Sequence, residues 1–409
     1  MNATTQSAPR WLIAAMAMAL ATCGAIAAPA VGHPAPEQRQ GAKADGGSGS
    51  VHDNRPSNST SESWRPRQPS EIARTEVSAA AVGRYVYVIG GYAIGGSSTR
   101  AVERYDTRRD RWRRVQEMPV AVNHATAVSY RGNLYVLGGY TGAPFSLGIG
   151  TGNLGIDIGT GSGTGGVADA TSAFFRYDPE RDEWSQMPSA PTARAAMAAT
   201  VIGHRLYVAG GGDSLRALTT FETFDFRRGR WRSGPSMPLA TEHTAGTAAG
   251  GDFYVVSGRP NYGAGTNSFV QRYRPRTKRW RRVADVSHGR GGFAAVTVCD
   301  RVVIFGGEDP GRGPPGTVPE VERYHPSSDV WRSLPSMRTP RHGLGGVAVG
   351  DRLYALEGGD VTLLSITQTN ESLDVACGRR GADKPARGAD KPAGNAGKPA
   401  RRGFSHRRG

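Results

Sequence analysis

A tryptophan returns along this chain about every fifty residues, and the residues after it keep nearly the same order each time. Trp64, Trp112, Trp184, Trp231, Trp280 and Trp331 are followed 23 residues later by Tyr87, Tyr135, Tyr207, Tyr254, Val303 and Tyr354. A small pair comes next: Gly90-Gly91, Gly138-Gly139, Gly210-Gly211, Ser257-Gly258 and Gly306-Gly307, with the last copy read one place late as Gly358-Gly359. Seven places before the next tryptophan stands an aromatic: Tyr105, Tyr177, Phe224, Tyr273 and Tyr324. A fixed period of this length confines the chain to a repeat architecture, whose units bury their apolar faces by stacking on one another.

Each repeat resolves into four short apolar runs bounded by Gly, Asp and Pro. In the second copy these are Ala125-Thr126-Ala127-Val128, Asn133-Leu134-Tyr135-Val136-Leu137, Phe174-Phe175-Arg176-Tyr177 and the stretch around Trp184. Alternation with a period of two and turn punctuation predict strands, not helices. Asp106, Asp178 and Asp225, directly after the aromatic, supply hairpin turn chemistry. The glycine pair permits positive φ and close approach of a neighbouring backbone, while Tyr and Trp rings fill the wedge between sheets.

Gly-Gly, Tyr and Trp at these offsets closely resemble the kelch repeat, over residues 63–378. The resemblance implies an all-β, six-bladed propeller. The sixth copy ends near Cys377 with no tryptophan after it, whereas Trp64 has no glycine pair before it. Joining the two halves predicts that the segment around Trp64 closes the last blade as its outer strand, which removes an unpaired sheet edge.

The flanks differ in composition. Residues 1–27 carry Arg10, an apolar run from Trp11 to Leu20, and Ala25-Ile26-Ala27, the layout of a secretory signal peptide. Leu20-Ala21-Thr22-Cys23 is similar to a lipoprotein box, but Thr22 is a poor residue before a modified cysteine. The apolar run is short for a membrane span. Residues 28–62 are read as a flexible linker rich in Pro, Gly and Ser. Residues 379–409 repeat Gly-Ala-Asp-Lys-Pro-Ala as an extended tail. From residue 378 onward ten Lys or Arg face two Asp, so +8 of the chain's +16 lies there. Such a tail suits an anionic envelope polymer, and the localisation expected is secreted or cell-envelope. No base-reading module accompanies it, so no specific nucleic-acid partner is expected. In an exported chain Cys299 and Cys377 are candidates for a disulfide.

In a propeller, ligands dock on the face made by the connections between blades and the loops from second to third strands. Ten residues past each tryptophan stand Arg74, Val122, Arg194, Thr241, Arg290 and Arg341, placed at the channel mouth; two further on are Glu76, His124, Ala196, His243, Gly292 and Gly343. Four convergent arginines suit an anion such as a carboxylate, or else brace the loops through backbone carbonyls. His124, His243 and the offset His342 complete the candidate face. Because these histidines stand on alternate blades across a channel, no shared metal is expected, and no cofactor. There is no metalloprotease helix signature, nucleophile elbow or phosphate-cradling loop. Gly307-Glu308-Asp309-Pro310-Gly311-Arg312 resembles a loop of exported kelch-type sialic acid epimerases, which implies proton transfer by Glu308 and a carboxylate grip by Arg312. The main reading is a non-catalytic module for a protein or glycan ligand. The glycine-rich insertion from about 141 to 170 is read as a tolerated loop excursion.

Overall fold

A computed structural model describes residues 63–377 apart from 143–145, 151–152, 158–168, 262–264 and 363–364. The signal, linker and basic tail expected from the sequence lie outside these residues. No helix among the described residues is long and apolar enough to cross a membrane.

Six four-stranded antiparallel sheets form the blades of a propeller. Blade 1 runs outward from Ser78–Val82 through Tyr85–Ile89 and Val102–Asp106 to Arg111–Arg114. Blades 2 to 5 repeat this order. Blade 6 takes Gly345–Val349, Arg352–Leu356 and Asn370–Asp374 from the end of the repeat region, and its outer strand, Arg65–Arg67, from the beginning. Arg65 pairs with Ser372 and Arg67 with Asn370, so the ring is closed by the early tryptophan segment. The insertion of blade 2 carries one backbone hairpin, Ser146–Gly150 against Asn153–Asp157.

The wedge shape follows from where the apolar residues sit. Buried side chains gather in six clusters, one at each blade interface, including Tyr87 with Tyr177 between blades 1 and 2 and Val86 with Tyr354 between blades 6 and 1. Each buried ring contributes roughly 1.5–3 kcal/mol. Small residues such as Ala79, Ala127, Gly246 and Gly346 on the inner strands leave a channel cavity of about 510 Å³.

Three hydrogen-bond patterns lock neighbouring blades. First, every repeat tryptophan donates through Nε1 to a carbonyl four residues past the preceding tryptophan: Trp112 to Gln68 (2.8 Å), Trp184 to Gln116 (2.9 Å), Trp231 to Pro188 (2.7 Å), Trp280 to Pro235 (2.8 Å), Trp331 to Ala284 (2.8 Å) and Trp64 to Pro335 (2.9 Å). The last of these completes the circle. Second, where that carbonyl residue has an N–H, an aspartate receives it: Asp110 from Gln68 (2.9 Å), Asp182 from Gln116 (2.8 Å) and Asp329 from Ala284 (2.8 Å). The same carboxylates accept the hydroxyls of Tyr105, Tyr177 and Tyr324. Third, the second residue of each small pair donates its N–H to the next blade: Gly91 to Val122 (2.8 Å), Gly139 to Arg194 (3.0 Å), Gly211 to Thr241 (2.9 Å), Gly258 to Arg290 (3.0 Å), Gly307 to Arg341 (2.8 Å) and Gly358 to Arg74 (2.8 Å). At Gly90 a Cβ would lie 2.5 Å from the Val122 carbonyl oxygen, so this approach needs glycine.

That third pattern corrects the sequence reading of the last copy. The pair there is Glu357-Gly358, not Gly358-Gly359: Gly358 makes the interblade bond, and Glu357 adopts φ 56° at the position held by Ser257 in blade 4 and by glycine in the other blades. Cys299 and Cys377 form a disulfide with Cα atoms 5.6 Å apart, tying blade 5 to the end of blade 6.

Candidate functional site

The residue ten places past each tryptophan does not reach the channel mouth. Arg74, Arg194, Arg290 and Arg341 are fully buried. Arg74 donates to the carbonyls of Gly90 and Ala101 (both 3.1 Å) and to the carboxylates of Glu103 (2.7 Å) and Glu357 (2.9 Å). Arg194 pairs with Glu222, Arg290 with Glu322 at 2.8 Å and Arg341 with Glu371 at 3.3 Å. These glutamates lie on the third strand of the same blade, two residues before the repeat aromatic or, in blade 6, before Leu373, which replaces it. Blade 2 has Val122 and Phe175 at the two positions, and blade 4 has Thr241 and Gln271. Each arginine is thus matched by a glutamate, and both disappear together. The expected anion receptor is therefore corrected: burial lowers the guanidinium of Arg290 to about 10 even with Glu322 beside it, and its donors are spent inside the fold.

The axis belongs to the residue two places further on. Glu76, His124, Ala196, His243, Gly292 and Gly343 all adopt positive φ, between 47° and 61°. The N–H of His124 donates to Glu76 (3.0 Å), Ala196 to His124 (2.8 Å), Thr244 to Ala196 (3.3 Å), Gly292 to His243 (3.1 Å), Gly343 to Gly292 (2.7 Å) and Val77 to Gly343 (3.1 Å). This backbone ring touches every blade and draws the side chains of blades 1, 2 and 4 together. Gly343 makes room for them, since a Cβ there would come within 2.7 Å of the Glu76 carboxyl carbon.

The expectation that the histidines are too far apart to share a metal is overturned here. His124 Nε2 lies 2.9 Å from His243 Nε2 and 3.0 Å from Glu76 Oε2. One ligand atom from each of the three residues falls within 4.8 Å of the others. The alternate-blade argument failed because the left-handed ring narrows the channel at this level to the reach of a side chain. His342 Nδ1 stands 3.3 Å from Glu76 Oε1, and its Nε2 is 2.9 Å from the Val361 carbonyl. Burial alone would raise the Glu76 carboxyl, but His124 and His342 hold it well below the usual carboxylate range. Burial pulls the His342 imidazole down, yet Glu76 and Glu308 outweigh it and leave it raised. His288, half-exposed beside Glu320, stays outside the cluster.

Glu308 and Arg312 serve different partners. Glu308 is buried, paired with Arg259, with its Oε2 3.8 Å from His342 Nδ1. Arg312 makes a two-pronged contact with Glu320 at 2.6 and 2.9 Å. The expected division of labour between them, proton transfer and carboxylate grip, is not what these contacts assemble.

A family model described as the KLHDC2/KLHL20/DRC7 Kelch-repeats domain matches residues 157–359, and a Kelch motif model matches residues 73–119. The chain belongs to the kelch-repeat family. Among kelch relatives, Kelch-like protein terF of Aspergillus terreus is 25% identical over 311 residues, covering 73% of this chain and 63% of that protein. Kelch repeat and BTB domain-containing protein 2 of Homo sapiens is 27% identical over 149 residues, 36% of this chain and 19% of that protein. The chain thus spans less than two thirds of either. The solved structure of YjhT aligns with a TM-score of 0.58 at 17% identity, over 74% of this chain and 95% of that one, a likeness of fold. Kelch propellers are typically protein-interaction modules.

Proposed function

We propose that this kelch propeller is an exported, non-catalytic module that recognises a protein partner on the face carrying the axial cluster. One observation carries the reading. Of the five exposed large hydrophobic side chains among the described residues, Ile94, Leu215 and Val361 sit in loops from second to third strands, and Leu239 in a connection between blades. All four lie on the loop face, and only Val330 lies elsewhere. Exposed apolar side chains gathered on one face suit a protein surface better than a sugar or a polyanion. Export rests on the layout of residues 1–27, and the basic tail supplies an auxiliary hold on anionic envelope material.

Chemical crosslinking in the native secretions, followed by capture, tests the partner. Wild-type protein should recover a partner that an Ile94→Asp/Leu215→Asp variant of equal thermal stability loses. Recovery of the same proteins by both would reject this face, and selective binding on a glycan array would replace the protein partner with a sugar.

A further inference from the structure

We propose that Glu76, His124 and His243 form a metal site on the propeller axis. Nε2 of each imidazole and Oε2 of the carboxylate hold one divalent transition ion and leave coordination open toward the channel.

The tautomers decide which atoms are free to bind. Asn123 donates through Nδ2 to Ser98 Oγ (2.8 Å) and the Tyr140 carbonyl (3.1 Å), which fixes its amide with Oδ1 toward His124 Nδ1, 2.5 Å away. His243 Nδ1 is held by the Glu242 carboxylate. Both acceptors require a proton on Nδ1, so in each neutral ring Nε2 carries a lone pair. Those two lone pairs face one another at 2.9 Å with a carboxylate oxygen 3.0 Å from one of them. Three electron-pair donors converging in this way are held together by a cation: a proton on one Nε2 serves in the metal-free protein, and a metal ion that displaces it meets all three donors at once. Ligand atoms around a tetrahedral zinc lie about 3.3 Å apart. Here His124 stands 2.9 and 3.0 Å from the other two ligand atoms and all three fall within 4.8 Å, so loading the ion moves His124 outward and draws Glu76 and His243 together by side-chain rotation.

The surroundings are those of a built site. Imidazoles that ligate metals donate their other N–H to a carboxylate or carbonyl, which sets the ring's angle and strengthens it as a ligand. Glu242 and Asn123 do this here, and His342 Nδ1 steadies the remaining Glu76 oxygen at 3.3 Å. All three ligand residues hold a left-handed backbone that side chains rarely adopt, in a ring that uses glycine at positions 292 and 343. Imidazole nitrogen selects first-row transition ions over magnesium or calcium. Two histidines and one carboxylate leave space for a water or a ligand oxygen, and the 510 Å³ cavity is lined by the same three side chains. The site does not depend on the protein-partner reading.

Tag-free full-length protein, stripped with chelator, is titrated with zinc by calorimetry. We expect one zinc per chain, and at least hundredfold weaker binding in His124→Gly and in His243→Gly, which copy the glycine of the same ring position in blades 5 and 6. Glu242→Gln should weaken binding ten- to hundredfold. X-ray absorption of the zinc-loaded wild type reads the ligands without any variant, and should show two imidazole nitrogens and oxygen at about 2.0–2.2 Å. Failure of wild type to bind zinc, parental affinity in folded glycine variants, or an absorption spectrum without two imidazoles would overturn the proposal.

Discussion

At the scale of residues, the repeats serve as controls for one another. The four buried arginines occur where a glutamate faces them and are absent where Phe175 or Gln271 stands instead. Removing one partner of a buried pair strands the other charge and costs about 3–5 kcal/mol, whereas an apolar pair of fitting shape costs far less. Glu322→Ala should therefore lower the unfolding free energy by about that amount in urea titration. Arg290→Val/Glu322→Phe, which copies blade 2, should recover most of it. Glu357 offers a pH test. Burial first, then the neighbouring Glu103 carboxylate, raise its carboxyl to about 7 against the downward pull of Arg74. Because the folded state holds this proton more tightly, the contribution is full at pH below the unfolded value of 4.5 and is lost as pH rises through about 7. Glu357→Gln stays neutral throughout, so its melting temperature relative to wild type should increase between pH 5 and 8. A constant gap would show that Glu357 is ionised in the folded protein across that range.

At the scale of elements, one blade differs from the next by whole hydrogen-bond sets. Blade 3 has Phe224 for the tyrosine and Gly229 for the aspartate, and the residue it meets, Pro188, has no N–H to give. Blade 2 keeps all three: Tyr177, Asp182 and Gln116. Asp182→Ala leaves both the tyrosine hydroxyl and the Gln116 amide without this acceptor, and should cost about 1–3 kcal/mol. Tyr177→Phe removes a donor while the amide bond remains, and should cost about 1 kcal/mol in the same denaturation assay. Equal losses would mean that the amide bond contributes nothing. The tryptophan and tyrosine spacing is legible as packing. Its hydrogen bonds are harder to see, although the joint loss of Tyr, Asp and N–H is written into the third repeat.

At the scale of the molecule, blade number and closure are legible in the sequence because both depend on period, and the two half-repeats at Trp64 and Cys377 have only each other to complete. The axial cluster is not, since periodicity gives each residue's place within a blade but not the radius at which six left-handed residues close a hydrogen-bonded ring. The same blindness to radius puts the arginines at the mouth when they lie between strands. Closure also explains what the disulfide does: it spans 78 residues of chain and ties blade 5 to the last segment of blade 6. Replacing Cys299 and Cys377 together by Ser should lower stability by about 2–4 kcal/mol, read by thermal and urea unfolding. No change would mean that the interblade bonds alone secure the end of the ring.

A closed ring of six blades brings side chains from blades 1, 2 and 4 to one point on its axis. An anomalous difference map at the zinc edge, from crystals grown with zinc, puts that convergence to the test. One strong peak is expected on the axis, about 2.0–2.2 Å from Nε2 of His124, Nε2 of His243 and Oε2 of Glu76. A map with no peak there, or with zinc bound at His288 and the axis bare, would contradict it.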